Sequence, residues 1–213
     1  QCDWSSDVCS SDLKGCCSTP QDVFTALDGP KRLSDEREWF LPAIMPTKSY
    51  GLLSGPIGAG KSSIVGYVVA ELTKQGFVVR YCVEDEPEDA ARHRLRLLDA
   101  DLGRVTFDDV PDLSQDEDIE RYARSCAGAG VDLLVMDLFQ TANPGYEENR
   151  PEKVKQWVGK VVQKFCHTYG VGILGTHHWN NNSKAGSHMA RLSGGGAVAA
   201  KAEFVWNVAL SND

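Results

Sequence analysis

The chain has 213 residues, of which 42% are hydrophobic, which is enough for one sizeable core and shows no second complete domain. Its formal charge of -8 excludes a uniformly basic surface, so any contact with DNA or RNA is confined to a local loop or channel. No apolar run approaches the length of a membrane span and no charged-then-apolar leader opens the chain, so a cytoplasmic protein with no membrane association is expected.

Residues 1–13 stand apart. Read back through the genetic code, CDWSSDVCSSDL (Cys2 to Leu13) fits a common short-read sequencing adapter, which makes it a disordered artefact of metagenomic sequence and implies a chain cut at its C-terminus as well. A natural Ser/Asp-rich tail is the other reading. Residues 14–47 form a lead-in whose EREWFLPAIMP stretch, Glu36 to Pro46, is expected to pack on the edge of a core spanning residues 48–213. The seven cysteines show no metal-ligand spacing, and Cys82, Cys126 and Cys166 lie among apolar neighbours as small buried hydrophobes.

Along the core, a strand at Ser49 to Leu53 leads through a glycine-rich loop into a helix on which Ile64, Val65, Val68, Val69 and Leu72 recur at helical spacing. Gly76 ends that helix. A β-branched strand follows at Phe77 to Val83, then the acidic EDEPED turn and a helix from Pro87 to Asp101. A weak strand at Val105 to Phe107 and a helix from Gln115 to Ala127 precede the apolar run Val131 to Phe139, which has the character of a strand buried on both faces. Val154, Trp157, Val158, Val161, Val162 and Phe165 then mark one stripe of a helix. Val171 to His178 reads as another buried strand and Glu203 to Leu210 as a last one. Strands alternating with helices imply an α/β fold, mainly a parallel sheet with helices on both faces.

The loop Gly55, Pro56, Ile57, Gly58, Ala59, Gly60, Lys61, Ser62, Ser63 satisfies G-x-x-x-x-G-K-[ST], and it lies between a strand and a helix as a phosphate-binding loop must. Its backbone N–H groups and the helix N-terminus suit the phosphates of ATP, with Lys61 on the β and γ groups and Ser62 on Mg2+. Asp137 closes a buried strand, where a carboxylate suits the water shell of Mg2+, or else serves as a turn aspartate. Glu84, the first residue beyond its strand, suits the carboxylate that polarises the attacking water. Asp85 and Glu86 compete for that role, and a solvated acidic turn is the plain alternative. His177 and His178 end the last buried strand, either as a reporter of the γ-phosphate or as edge histidines with structural partners.

Taken together, SGPIGAGKSS, YCVEDEPEDAARHRL, LLVMDLF, the EEN at Glu147 to Asn149, and ILGTHHWNNNS resemble the RecA-like P-loop ATPases of the AAA family that includes RepA-type hexameric helicases of plasmids and phages. The resemblance runs from Trp39 to Leu210. It implies a RecA-like fold with the Val171 to Thr176 strand between the P-loop strand and the Asp137 strand. It also implies that Glu84 is the catalytic carboxylate and that the His pair is the γ-phosphate sensor. The family further implies a homo-oligomeric ring, a hexamer, with nucleotide at subunit boundaries and single-stranded DNA passing loops 139–150 and 179–196. Lys184, His188 and Arg191 make the second loop locally basic, as a backbone-tracking loop or a plain surface loop would be, and Phe139 and Tyr146 in the first either stack on bases or pack. The family's arginine from a neighbouring subunit has no match between Gly194 and Phe204, where Lys201 is the basic residue; it lies beyond Asp213, is replaced by Lys201, or is absent. The activity that the resemblance implies is Mg2+-dependent ATP hydrolysis driving translocation on or unwinding of nucleic acid, as in a RepA-type DNA helicase. The alternative is a nucleotide-switched, DNA-binding regulatory ATPase, and a small-molecule kinase is a distant third.

Overall fold

Runs of β-branched and apolar residues too short for helices form the centre of the molecule, and the amphipathic segments between them cover it. The computed structural model describes residues 37–145, 147, 150–178 and 195–208; the adapter-like head, most of the lead-in and the loop at 179–194 lie outside them. The described elements are β1 (Trp39–Leu41), β2 (Met45–Pro46), β3 (Tyr50–Gly55), α1 (Lys61–Lys74), β4 (Val79–Val83), α2 (Glu88–Leu97), β5 (Val105–Asp108), α3 (Asp116–Gly128), β6 (Leu133–Asp137), α4 (Pro151–Val162), β7 (Gly172–His178) and β8 (Phe204–Asn207). A π-helical stretch at Gln163–Thr168 prolongs α4.

Six strands form one sheet in the order β5-β4-β6-β7-β3-β8, and every pairing in it is parallel. The expected place of β7 between β3 and β6 is therefore found. Alternation along each strand sends one set of side chains to each face. Leu53, Tyr81, Val135 and Leu174 meet Val65, Val68 and Leu72 of α1 and Leu95 of α2. Leu52, Cys82, Met136 and Ile173 meet Ile119 of α3 and Trp157, Val158 and Val161 of α4. Helices thus cover both faces, which is why β6 and β7 are apolar almost throughout.

Several boundaries are tighter than sequence pattern suggests, and each has a local cause. Phe77 still bonds Leu72 O as part of the α1 terminus, so β4 begins at Val79. Asp99 takes a left-handed φ of 55° and Ala100 returns its N–H to Leu95 O, so α2 stops at Leu97 rather than Asp101. Val131 caps α3 through Cys126 O, and Asp132 accepts the N–H of Val78, leaving Leu133 as the first residue of β6. The lead-in is more than an edge segment, since Phe40 and Met45 of the β1–β2 hairpin are fully buried in the α1 side of the core. Phe40 lies where a Cβ on Gly172 would come within 2.7 Å of its ring. Cys82, Cys126 and Cys166 are buried free thiols; burial pushes them up to about 12, 11 and 12 and leaves them protonated and inert at neutral pH.

Candidate functional site

Parallel strands bring their C-terminal ends to one edge, and the register states which residues meet there. Ser54 pairs with His177 and Gly55 with His178, while Val83 pairs with Asp137. Glu84, one residue past β4, donates its N–H to Asp137 O at 2.8 Å. The P-loop, the acidic turn, Asp137 and the histidines therefore share the edge onto which α1 opens.

At the start of α1, Gly60 sits at the N-cap with φ 83° and offers no side chain to its own helix, and Gly58 has φ 77°. A Cβ at either glycine would meet nothing within 4 Å, so the space in front of this helix N-terminus is open. The first N–H groups of a helix lack acceptors a full turn back; here Ser63 N–H turns to Gly60 O at 3.0 Å, and the turn holds no acidic residue to compete with an anion. Ser62 is half-buried, Ser63 is exposed, and Ile57 stands 69% exposed at the loop's tip.

Lys61 is buried and folds back on its own loop. Its ammonium donates to Gly55 O at 3.1 Å, to Pro56 O at 3.0 Å and to His178 Nδ1 at 3.0 Å. Burial pushes its pKa below the ordinary lysine value, against the opposing pull of the Asp137 and Asp85 carboxylates.

Asp137 is buried and yet only half engaged. Thr176 Oγ1 donates to its Oδ1 at 2.5 Å, and its buried Oδ2 has no hydrogen-bond partner among the described residues. A carboxylate oxygen in that position is costly unless something else uses it. The need for a partner fits a hydrated divalent cation, which the P-loop hydroxyl of Ser62 would ligate and this oxygen would hold through its water.

The three acidic residues of the turn have separate surroundings. Glu86 receives a bidentate grip from Arg94, at 2.6 and 2.5 Å, and that guanidinium also donates to Ser62 O at 3.4 Å. Asp85 accepts from His178 Nε2 at 3.0 Å. Glu84 is exposed and makes no side-chain hydrogen bond or ion pair among the described residues, so of the three it alone is uncommitted.

The two histidines part by strand alternation. Thr176 and His178 share the face of Leu174, on the α1 side, and both reach the site; His177 lies on the other face, fully buried, with Nδ1 against His178 O at 2.8 Å. Lys61 donates to Nδ1 of His178, so the ring proton lies on Nε2 and is donated to Asp85.

A family model described as an AAA domain matches residues 18–184. The chain belongs to the AAA-domain family. A search of curated proteins finds no match. Among solved structures, the chain is similar to an ATPase domain with a TM-score of 0.58 and 10% sequence identity, over 75% of this chain and 69% of that one. The fold is that of a RecA-like P-loop ATPase.

Within this AAA domain the two loops fare differently. Phe139 is not available for stacking on a base: it is fully buried, with its ring 5.1 Å from those of both Tyr50 and Trp157. The loop after Asp137 turns inward because Gly175 leaves room for Phe139 and because Phe139 N–H bonds Thr176 O. Tyr146 and residues 179–194 lie outside the described residues. Lys201 is exposed and lies over Gly159 of α4, ahead of β8 and at the far end of the sheet from its own P-loop. Among the described residues no helix is long and apolar enough to cross a membrane.

Sequence reasoning passed over Thr176, Asp85 as the partner of His178, and Arg94. The first had a visible signal: a hydroxyl two residues before His178 in an apolar strand faces the same side. The pairings of Asp85 and Arg94 are contacts across the fold that no local pattern encodes.

Proposed function

We propose that this AAA domain hydrolyses ATP with Mg2+ and couples the cycle to movement on single-stranded nucleic acid, as a ring-forming ATPase of the RepA helicase type. The observation that carries the reading is the meeting of Lys61, Asp137, Glu84 and His178, far apart in sequence, along one sheet edge. The open helix N-terminus and Lys61 bind the triphosphate, and Ser62 with Asp137 Oδ2 holds the metal, which when bound supplies positive charge to the phosphate oxygens. Glu84 orients and deprotonates the attacking water, a role that an uncommitted carboxylate can fill and that Glu86, clamped by Arg94, cannot. His178 reports the state of the γ-phosphate, and His177 supports the strand end.

The coupling to nucleic acid rests on the family resemblance and on the polar, locally basic composition of residues 179–196, and the burial of Phe139 removes one aromatic from the segment after Asp137. The test is the ATPase rate with and without single-stranded DNA. Stimulation that disappears in Glu84→Gln supports the motor. Hydrolysis that DNA leaves unchanged favours a nucleotide-switched regulatory ATPase.

A further inference from the structure

An ammonium group has three N–H donors, and all three of those on Lys61 are engaged within the protein, on Gly55 O, Pro56 O and His178 Nδ1. A phosphate oxygen can receive one of them only if a present acceptor gives it up. The two carbonyls belong to the backbone of the loop that cradles the phosphates. His178 is the one acceptor on a rotatable side chain, so it is the partner that leaves most easily. It is not free to leave without consequence, because its Nε2 is tied to Asp85 Oδ2 at 3.0 Å. Asp85 directly follows Glu84, whose N–H is anchored on Asp137 O.

We propose that Asp85 is a positioning residue which, through His178, latches the P-loop lysine before nucleotide arrives. The tether fixes the ring so that Nδ1 presents its lone pair to Lys61, and nucleotide binding competes with that contact. Opening the latch releases His178 from Lys61 and relaxes the tie to the acidic turn, so occupancy of the P-loop is relayed to the segment that carries Glu84. The relay uses groups of β7, the P-loop and the β4–α2 turn, and it rests on the assignment of Lys61 to the phosphates.

ADP isolates the latch, because it lacks the γ-phosphate that His178 is assigned to sense. Binding of a fluorescent ADP analogue is measured for the wild type, Asp85→Ala, Asp85→Asn, His178→Ala and Lys61→Ala. Removing a competing hydrogen bond of this kind tightens ADP binding roughly three- to tenfold in Asp85→Ala and in His178→Ala. An asparagine in place of Asp85 still offers an amide oxygen to Nε2–H, so Asp85→Asn stays close to the wild type, an outcome that general damage to the turn would not give. Unchanged or weaker ADP binding in Asp85→Ala and His178→Ala overturns the latch. If Lys61→Ala also leaves binding intact, the phosphate-site assignment itself has failed; if Lys61→Ala abolishes binding, only the latch has.

Discussion

Thr176 Oγ1 donates to Asp137 Oδ1 across the adjacent strands β7 and β6, while Oδ2 has no hydrogen-bond partner among the described residues. Thr176→Val keeps the shape and removes the donor, leaving a buried carboxylate with a second unsatisfied oxygen. Stability is expected to fall by about 1–3 kcal/mol. The Mg2+ concentration needed for half-maximal hydrolysis is expected to rise, and Thr176→Ser should restore both. Denaturant melts and a Mg2+ titration decide, and a Val variant with both values unchanged removes Thr176 from the site.

Glu84 and Glu86 are two residues apart but differ in what they touch, and substitution should separate them. Glu84→Gln retains nucleotide binding and lowers turnover by roughly a hundredfold or more, as loss of a general base does. Glu86→Gln breaks the bidentate grip on Arg94, a partly buried pair, and its first effect is a stability loss of about 1 kcal/mol. The comparison needs only single-turnover rates and melting curves. A Glu86 variant that loses turnover while keeping full stability would reverse the assignment.

The sheet and the P-loop were legible because their signals are local: apolar runs, a glycine pattern and a helical stripe each lie within a short stretch of chain. Asp137 and Glu84 were legible for a related reason, since the first polar residue after a buried parallel strand must lie at the C-terminal edge. The division of labour between His177 and His178 was also open to reading from alternation, because neighbours on a strand face opposite ways. What local pattern did not carry were contacts between elements. By sequence Phe139 either stacks on a base or packs; by structure it is a core residue, because Gly175 on a neighbouring strand vacates the space it fills. The commitments of Asp85 to His178 and of Glu86 to Arg94 depend on how α2 and β7 meet the edge.

Lys61 gives a prediction with a definite sign. Its folded-state pKa lies below that of the unfolded chain, mainly because burial disfavours the ammonium. Between those two values the unfolded chain binds more protons than the folded one, so the stability contributed by this group rises with pH. The penalty is fully present below the folded value and relieved as pH approaches the ordinary lysine value of 10.5. Lys61→Met carries no such titration. In nucleotide-free protein, the stability of the wild type relative to Lys61→Met should therefore increase from neutral to alkaline pH, while the methionine variant fails to bind ATP at every pH. Parallel pH dependence of the two proteins in urea melts would contradict the assigned burial cost.

Gly175 links the core to the site. A Cβ built there would lie 2.8 Å from Phe139 Cβ and 3.0 Å from its Cγ, and the ring cannot retreat because Tyr50 and Trp157 flank it. Gly175→Ala is expected to cost about 1–3 kcal/mol by overpacking. Because Phe139 N–H bonds Thr176 O and lies two residues past Asp137, the displaced ring should also disturb the Thr176–Asp137 pair and raise the Mg2+ requirement. Gly175→Ala/Phe139→Leu keeps the Cβ and Cγ at position 139 but gives that side chain room to shift between Tyr50 and Trp157, and should then recover part of the Mg2+ response, even though the core has lost aromatic area. A double variant no better than the sum of the single ones in the Mg2+ titration would show that Gly175 supports the fold without positioning Asp137.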